Sequence, residues 1–443
     1  MRYLPHTQPE IETMLKVAGA SSLDDLFASV PADCLSAHGL DLPPPLTEWE
    51  LSDHVQKLAA QNAIAPQHKI FLGAGSYHHY IPAVIPSLVS RGEFLTAYTP
   101  YQPEVSQGTL QAIYEYQTMT ARLLGMEVVN ASVYDGASAL AEALLMAIRV
   151  TKNKKVAIST AINPLYRRVV ATYLGHGGFE VVELPFGPDG LTQLDGLEKS
   201  GGLAAVALQS PNFFGCVEDL AQARHAADQA GCLLVSTFSE ALAFGLIKNP
   251  GQQGADIVAG EGQSLGIPQS FGGPYLGIFA ARNEFLRNMP GRLVGQTVDL
   301  DGRRGFVITI STREQHIRRE RATSNICSNQ SLCALTAAMF LASLGGSGLR
   351  QLARLNYDKA HYLQAGLAEL GIETVFSAPF FNEFVVRIPA ERQASLAAME
   401  KDSLVLGLSL ETHYPQLHGC RLLCVTETKS KADLDAVLEG LRS

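Results

Sequence analysis

Tyr134-Asp135-Gly136-Ala137-Ser138-Ala139 is a turn of small residues that opens the helical run Leu140 to Val150. At a helix N-terminus such a turn presents unpaired N–H groups and the positive end of the helix dipole, which suits a phosphate or a carboxylate. This geometry recurs in aminotransferase-like folds that hold pyridoxal 5'-phosphate. The same residues also fit a plain capped helix, with Asp135 or Ser138 bonding the orphan amides. A pyridoxal phosphate enzyme needs two further residues: a lysine for the Schiff base, normally late in the parallel sheet, and an acid against the pyridinium nitrogen. Neither is evident. Lysine supplies only 12 of the 34 basic residues and is absent between Lys248 and Lys359. The apolar run Cys232 to Thr237, where the acid is expected, contains no aspartate, and Glu240 is the nearest carboxylate. Lys248 reads as a surface lysine before the turn Asn249-Pro250-Gly251. A dinucleotide fold needs G-x-G-x-x-G and a P-loop needs G-x-x-x-x-G-K-[ST]. Gly73-Ala74-Gly75 lacks the third glycine, and no lysine follows Gly272-Gly273-Pro274.

The elements that must position these residues alternate along the chain. From about 108 to 310, helical text (Leu110 to Leu124, Pro164 to Leu174, Asp219 to Ala230) is interleaved with strand text. The strands are expected at Val156 to Ser159, Phe179 to Leu184, Ala204 to Leu208, Cys232 to Ser236 and Asp256 to Ala259. That rhythm implies βαβ crossovers and a mostly parallel sheet covered on both faces, an α/β fold. Residues 1 to about 60 carry short amphipathic helices, Ile11 to Leu15 and Leu23 to Phe27, broken by Pro31 and Pro43-Pro44-Pro45, and suit an arm that wraps a neighbour. Phe71 to Tyr80 and Tyr98 to Glu104 read as ordered functional loops. Beyond about 330, a helix from Leu332 to Leu344 ends at Gly345-Gly346. Strand text at Thr374 to Phe376, Glu383 to Ile388 and Arg421 to Val425 then fits a smaller α+β C-terminal domain. The expected divisions are 1–107 (helical arm and interface loops), 108–310 (large α/β domain) and 311–443 (connecting helix and small domain).

With 443 residues the chain can bury a large core, and its net charge of -9 argues against broad nucleic-acid or anionic-membrane binding. Seven cysteines without a C-x-x-C pair, at Cys34, Cys216, Cys232, Cys327, Cys333, Cys420 and Cys424, read as reduced and mostly buried thiols, with no metal site. The start Met1 to His6 reaches no apolar signal region, and no membrane span is read, so the expectation is a cytoplasmic protein.

Four segments together resemble the glycine cleavage system P protein family. They are Phe71 to Tyr77, Glu93 to Gln111, Tyr134-Asp135-Gly136 and Thr312 to Gln330. The resemblance covers nearly the whole chain, and the length matches the alpha subunit of the two-subunit bacterial form. It implies a fold-type-I, pyridoxal-phosphate-dependent transferase architecture in which homologous alpha and beta subunits pair. In the beta subunit the Schiff-base lysine precedes an [IV]-P-H element. Matching that element to Ile267-Pro268-Gln269 places Gln263 at the lysine, and an amide cannot form the imine. The resemblance therefore implies a cofactor held covalently by the partner beta subunit and none held covalently here, in an α2β2 assembly. It also implies the reaction: glycine loses CO2, and the aminomethyl group passes to the lipoyl arm of the H protein, in functional association with the T and L proteins.

For this chain the resemblance leaves supporting roles. Thr323 is the leading candidate to reach the partner's cofactor phosphate, with Asn325 in support, near the N-terminus of the helix that follows. Arg313, Arg318, Arg319 and Arg321 with His316 form the most basic patch, suited to an acidic lipoyl carrier, to a carboxylate, or to a solvated helix face paired with Glu314 and Glu320. Tyr77, His79, Tyr98 and Tyr101 are candidates for a substrate route or for interface packing. Two other readings stay open: a self-sufficient homomeric decarboxylase using Lys248, and a non-catalytic scaffold subunit.

Overall fold

The computed structural model describes residues 5–36, 39–326 and 328–442. Cys327 lies outside the described residues. The contacts divide the chain into two units, 1–63 and 64–443. The first holds α1 (Gln8–Ala18), α2 (Glu48–Ala59) and two short 3-10 turns. Thr7 with Glu10, and Thr47 with Glu50, make reciprocal capping boxes that start both helices. Phe27, Trp49, Val55 and Leu58 of this unit are exposed.

The second unit is built on a seven-stranded sheet. Its strands are β1 (Val128–Val129), β2 (Lys155–Ser159), β3 (Glu180–Leu184), β4 (Leu203–Gln209), β5 (Leu233–Phe238), β6 (Ile257–Glu261) and β7 (Gly277–Ala281). They lie in the order β1-β7-β6-β5-β4-β2-β3. Pairing is parallel from β3 through β6, and β7 runs antiparallel to β6 and to β1. Every residue of β4 is buried, as expected of an inner parallel strand covered on both sides. Alternate residues of one strand enter different cores: Ile257 and Ala259 join one and Val258 the other. The first core is made with α4 (Gly136–Thr151) and α5 (Pro164–Gly175). The second takes in residues of α3 (Gln107–Leu124) and α7 (Ser331–Glu369), while α6 (Leu220–Ala230) packs with β4 and β5. These helices and strands stand where the sequence pattern expects them.

α7 breaks at Gly345, where φ is 61°, and then resumes to Glu369, so the helix expected to stop at Gly345-Gly346 is followed at once by a second one. It is long and apolar enough to cross a bilayer, yet Ala334, Ala337, Phe340 and Leu341 are buried in the core. A hairpin, β8 (Leu293–Val298) and β9 (Arg304–Thr309), follows the main sheet. The C-terminal part carries the sheet β10-β12-β11, with β10 Glu383–Arg387, β11 Leu408–Ser409 and β12 Cys420–Cys424. The strand expected at Thr374 to Phe376 is corrected: among the described residues it makes a single bridge, Thr374 to Val386, because Phe376 turns instead into an aromatic cluster with Phe186 and Phe214. Phe71 is fully buried in the C-terminal core beside Leu363, Phe384 and Leu423, which anchors the loop that follows it. Cys216, Cys232, Cys333, Cys420 and Cys424 are buried free thiols, and Cys34 is exposed.

Candidate functional site

Gln263 follows the end of β6 and is 1% exposed. Its amide is used at both ends. Oε1 accepts from Tyr77 N at 2.9 Å, and Nε2 donates to Tyr77 O at 3.0 Å and to Ile267 O at 2.7 Å. The side chain therefore pairs with the Phe71–Tyr80 loop as a neighbouring strand would, which a lysine ammonium, having only donors, cannot do. Tyr77 is equally buried. Its hydroxyl lies 2.9 Å from Ser239 Oγ and donates to Glu383 Oε2 at 2.8 Å.

A buried charge network continues from this point. His79 lies between two carboxylates, Nε2 at 2.9 Å from Glu240 and Nδ1 at 2.8 Å from Glu427. Burial alone would push the imidazolium down, but Glu240, and Glu427 behind it, hold its pKa up to about 10. Burial likewise works against the ionised Glu427, yet the His79 contact and the Tyr80 amide bring it down to about 2. Burial pushes Glu383 up to about 7 despite the Ala74 N–H and the Tyr77 hydroxyl. Asn382 donates to Glu240 at 3.3 Å. The network joins three segments far apart in sequence: the 71–80 loop, the end of β5 and the C-terminal sheet. A cavity of about 680 Å³ opens beside the loop, with Tyr77, His79, Tyr80, Gln263 and Glu427 among its walls.

The small-residue turn does begin a helix. Asp135 caps α4, its Oδ1 accepting from Ser138 N at 2.7 Å. The first amide, Gly136 N, donates to Glu261 Oε2 at 3.0 Å, while Glu261 Oε1 accepts from Gln263 N at 3.0 Å and Leu276 N at 2.9 Å. Burial pushes Glu261 up to about 8, against these three N–H donors. A cavity of about 360 Å³ touches Ser76, Asp135, Tyr166, Glu261 and Tyr275. These residues do not fit pyridoxal phosphate. The position for the imine holds a fully bonded amide, the helix end holds two carboxyl groups, and β5 offers the hydroxyls of Ser236 and Thr237, both buried without a partner among the described residues, in place of an acid. Lys248 is exposed on its turn.

The 311–330 segment differs from expectation. Arg313 is not part of a surface patch: it is 9% exposed and donates to the carbonyls of Met289, Gly291 and Ile310. Arg318, Arg319 and Arg321 are exposed, Arg318 donating to Thr312 O at 3.2 Å. Thr323 is half-buried, with its amide on Arg313 O at 3.1 Å, and Asn325 is exposed. Neither stands at a helix N-terminus, because α7 starts only at Ser331. Ser324 fixes this loop, donating to Glu142 Oε1 of α4 at 2.8 Å and accepting from Ile326 N at 3.1 Å. Tyr98 is exposed, whereas the Tyr101 hydroxyl accepts from Arg292 at 2.9 Å, with the guanidinium 5.1 Å from its ring. The structure thus brings Tyr77, His79 and Gln263 together, while Tyr101 packs on Arg292 and His316 and Thr323 is tied to Arg313. Sequence reasoning missed Glu261, Glu383, Glu427 and Arg292. Glu261 left one trace, a carboxylate ending the apolar strand Ile257-Val258-Ala259-Gly260.

Solved structures remote in sequence share this architecture. A Lactobacillus brevis glutamate decarboxylase aligns over 94% of the chain with TM-score 0.68 at 11% identity. A Burkholderia pseudomallei sphingosine-1-phosphate lyase does so over 93% with TM-score 0.62 at 14%. The fold is thus the fold-type-I transferase-like architecture, in agreement with the α/β expectation. Closer relatives narrow it. The family described as glycine cleavage system P-protein matches residues 1–441. A Desulfotalea psychrophila protein named probable glycine dehydrogenase (decarboxylating) subunit 1 is 57% identical over all of this chain and 98% of its own length. A Thermotoga maritima protein of the same name is 46% identical over 99% of each. The solved glycine decarboxylase (P-protein) of the glycine cleavage system, in inhibitor-bound form, superposes with TM-score 0.90 at 46% identity, covering 100% of this chain and 99% of that one. The chain belongs to the glycine cleavage system P-protein family, as the four motifs indicated.

Proposed function

We propose that this chain is the cofactor-free subunit of a glycine-decarboxylating P protein, active only with a second subunit that carries pyridoxal phosphate. The single observation behind this reading is Gln263, bonded through both ends of its amide where the family's Schiff-base lysine is expected. The cofactor supplies the electron sink for loss of CO2 from glycine, and that chemistry belongs to the partner. This chain's share is to shape and close the shared cleft, with the 71–80 loop held by the His79 and Glu383 network and the 323–326 loop held by Ser324. Thr323 and Asn325 remain our candidates for the partner's cofactor phosphate. Tyr98, Tyr101, Arg318 and Arg319 remain candidates for the subunit interface or for the lipoylated H protein. We assign residues 1–107 to arm and interface loops, 108–310 to the large domain and 311–443 to the connecting helix and small domain, in a cytoplasmic α2β2 assembly that works with the T and L proteins.

Purified separately and mixed, the two chains test the reading. Release of labelled CO2 from carboxyl-labelled glycine with H protein is expected only from the mixture. Turnover by this chain alone would reject it, as would full turnover by the partner alone.

A further inference from the structure

Loss of the Schiff-base lysine does not by itself empty a pyridoxal phosphate site. The phosphate is held by amides and the dipole at a helix N-terminus, and these act whether or not a lysine is present. In this chain two of those amides are already engaged. Gly136 N is bonded to Glu261 and Ser138 N to Asp135, and Glu261 is 1% exposed, with its other oxygen on Gln263 N and Leu276 N.

The fit around Glu261 is close enough to demand glycine at two places. A Cβ on Gly136 would lie 3.0 Å from Glu261 N and 2.6 Å from the Tyr166 hydroxyl. Gly277, which pairs with Glu261 across β6 and β7, would bring a Cβ within 2.6 Å of Asp135 O. The end of β6 and the start of α4 are thus packed against each other, with the Glu261 carboxyl group seated on the first helix amide at the wall of the 360 Å³ cavity.

We propose that Glu261 is a built-in occupant of the anion cradle at the start of α4, and that with Asp135 beside it this chain's own cleft excludes phosphate monoesters, free pyridoxal phosphate included. The inference deepens the reading of a cofactor-free subunit: it says the cleft refuses the cofactor non-covalently as well as covalently. A phosphate group entering here must displace the Glu261 hydrogen bonds and lie against the Asp135 carboxylate, whose like charge repels it.

The test uses the full chain and 4'-deoxypyridoxine 5'-phosphate, which has no aldehyde to react with surface lysines. Equilibrium dialysis is expected to show no saturable binding to the wild type or to Glu261→Gln. The double variant Asp135→Ser/Glu261→Ala should bind at least about tenfold more tightly, and its heat-unfolding midpoint should rise with inorganic phosphate. The proposal is overturned if the wild type binds as tightly as the double variant, or if a folded double variant binds nothing. Should the double variant not fold, amide exchange in wild-type residues 134–140 decides: no change with excess inorganic phosphate supports the proposal, and slowed exchange overturns it. Wild-type chain that binds the analogue yet forms no reducible cofactor adduct would defeat this proposal while leaving the functional reading intact.

Discussion

His79 keeps its charge between Glu240 and Glu427, and the sign of its contribution to stability follows from its pKa. With the folded value raised to about 10, the stabilisation is complete below the ordinary histidine value and is lost as pH rises through about 10. Glu427, lowered to about 2, contributes above the ordinary carboxylate value, and this is lost as pH falls through about 2. His79→Gln leaves two buried carboxylates without their cation, and we expect it to cost roughly 3–5 kcal/mol near pH 6. Denaturant unfolding of wild type and variant across pH should show the gap shrinking toward both extremes. Glu383 has the opposite sign: raised to about 7, it costs stability increasingly as pH climbs from the carboxylate range to 7. Glu383→Gln should therefore gain on the wild type over that interval. Gln263→Lys should not retain cofactor after gel filtration, because Glu261 and Asp135 still fill the helix end. A stoichiometric absorption band from that variant would contradict the reading of both residues.

Helix α4 and the loop beside it carry the constraints of the next scale. Gly136→Ala forces a Cβ against Tyr166 and Glu261, an overpacking worth about 1–3 kcal/mol. In contrast, a Cβ added at Gly108 of α3 would meet nothing within 4 Å, and Gly108→Ala should stabilise by about 0.5 kcal/mol through the unfolded chain. Urea midpoints of the two variants should move in opposite directions. Ser324→Ala removes the 2.8 Å tie to Glu142, and we expect the assembled complex to lose cofactor several-fold more readily, by roughly 1 kcal/mol. A complex whose cofactor affinity is unchanged would show that the 323–326 loop does not serve the partner's site. These elements were legible to different degrees. The helices and strands of the sheet show in the text because covered parallel strands read as apolar runs and surface helices as 3.6-residue patterns. The partner of Gly136, by comparison, lies 125 positions away at Glu261, a contact that no local pattern encodes. Arg313 looked like its charged neighbours in sequence, and only the fold turns it inward onto three carbonyls.

At the scale of the whole molecule, the scarcity of lysine and the Gln263 match point to an incomplete active site, and in the fold the Gln263 amide is bonded to Tyr77 and Ile267. The roles of Thr323 and Asn325 rest on family resemblance, because a site completed by a neighbour's phosphate leaves no local pattern in one chain's sequence. The first unit, residues 1–63, leaves Phe27, Trp49, Val55 and Leu58 exposed, which suits an arm that packs on another subunit. Deleting residues 1–60 should leave residues 64–443 folded by circular dichroism and abolish co-purification with the second subunit. Retained co-purification would remove the arm from the interface. The most direct measurement reduces the assembled complex with borohydride and maps the modified lysine by mass spectrometry. The account predicts stoichiometric label on the partner subunit and none on this chain, whereas stoichiometric label on any lysine of this chain would contradict it.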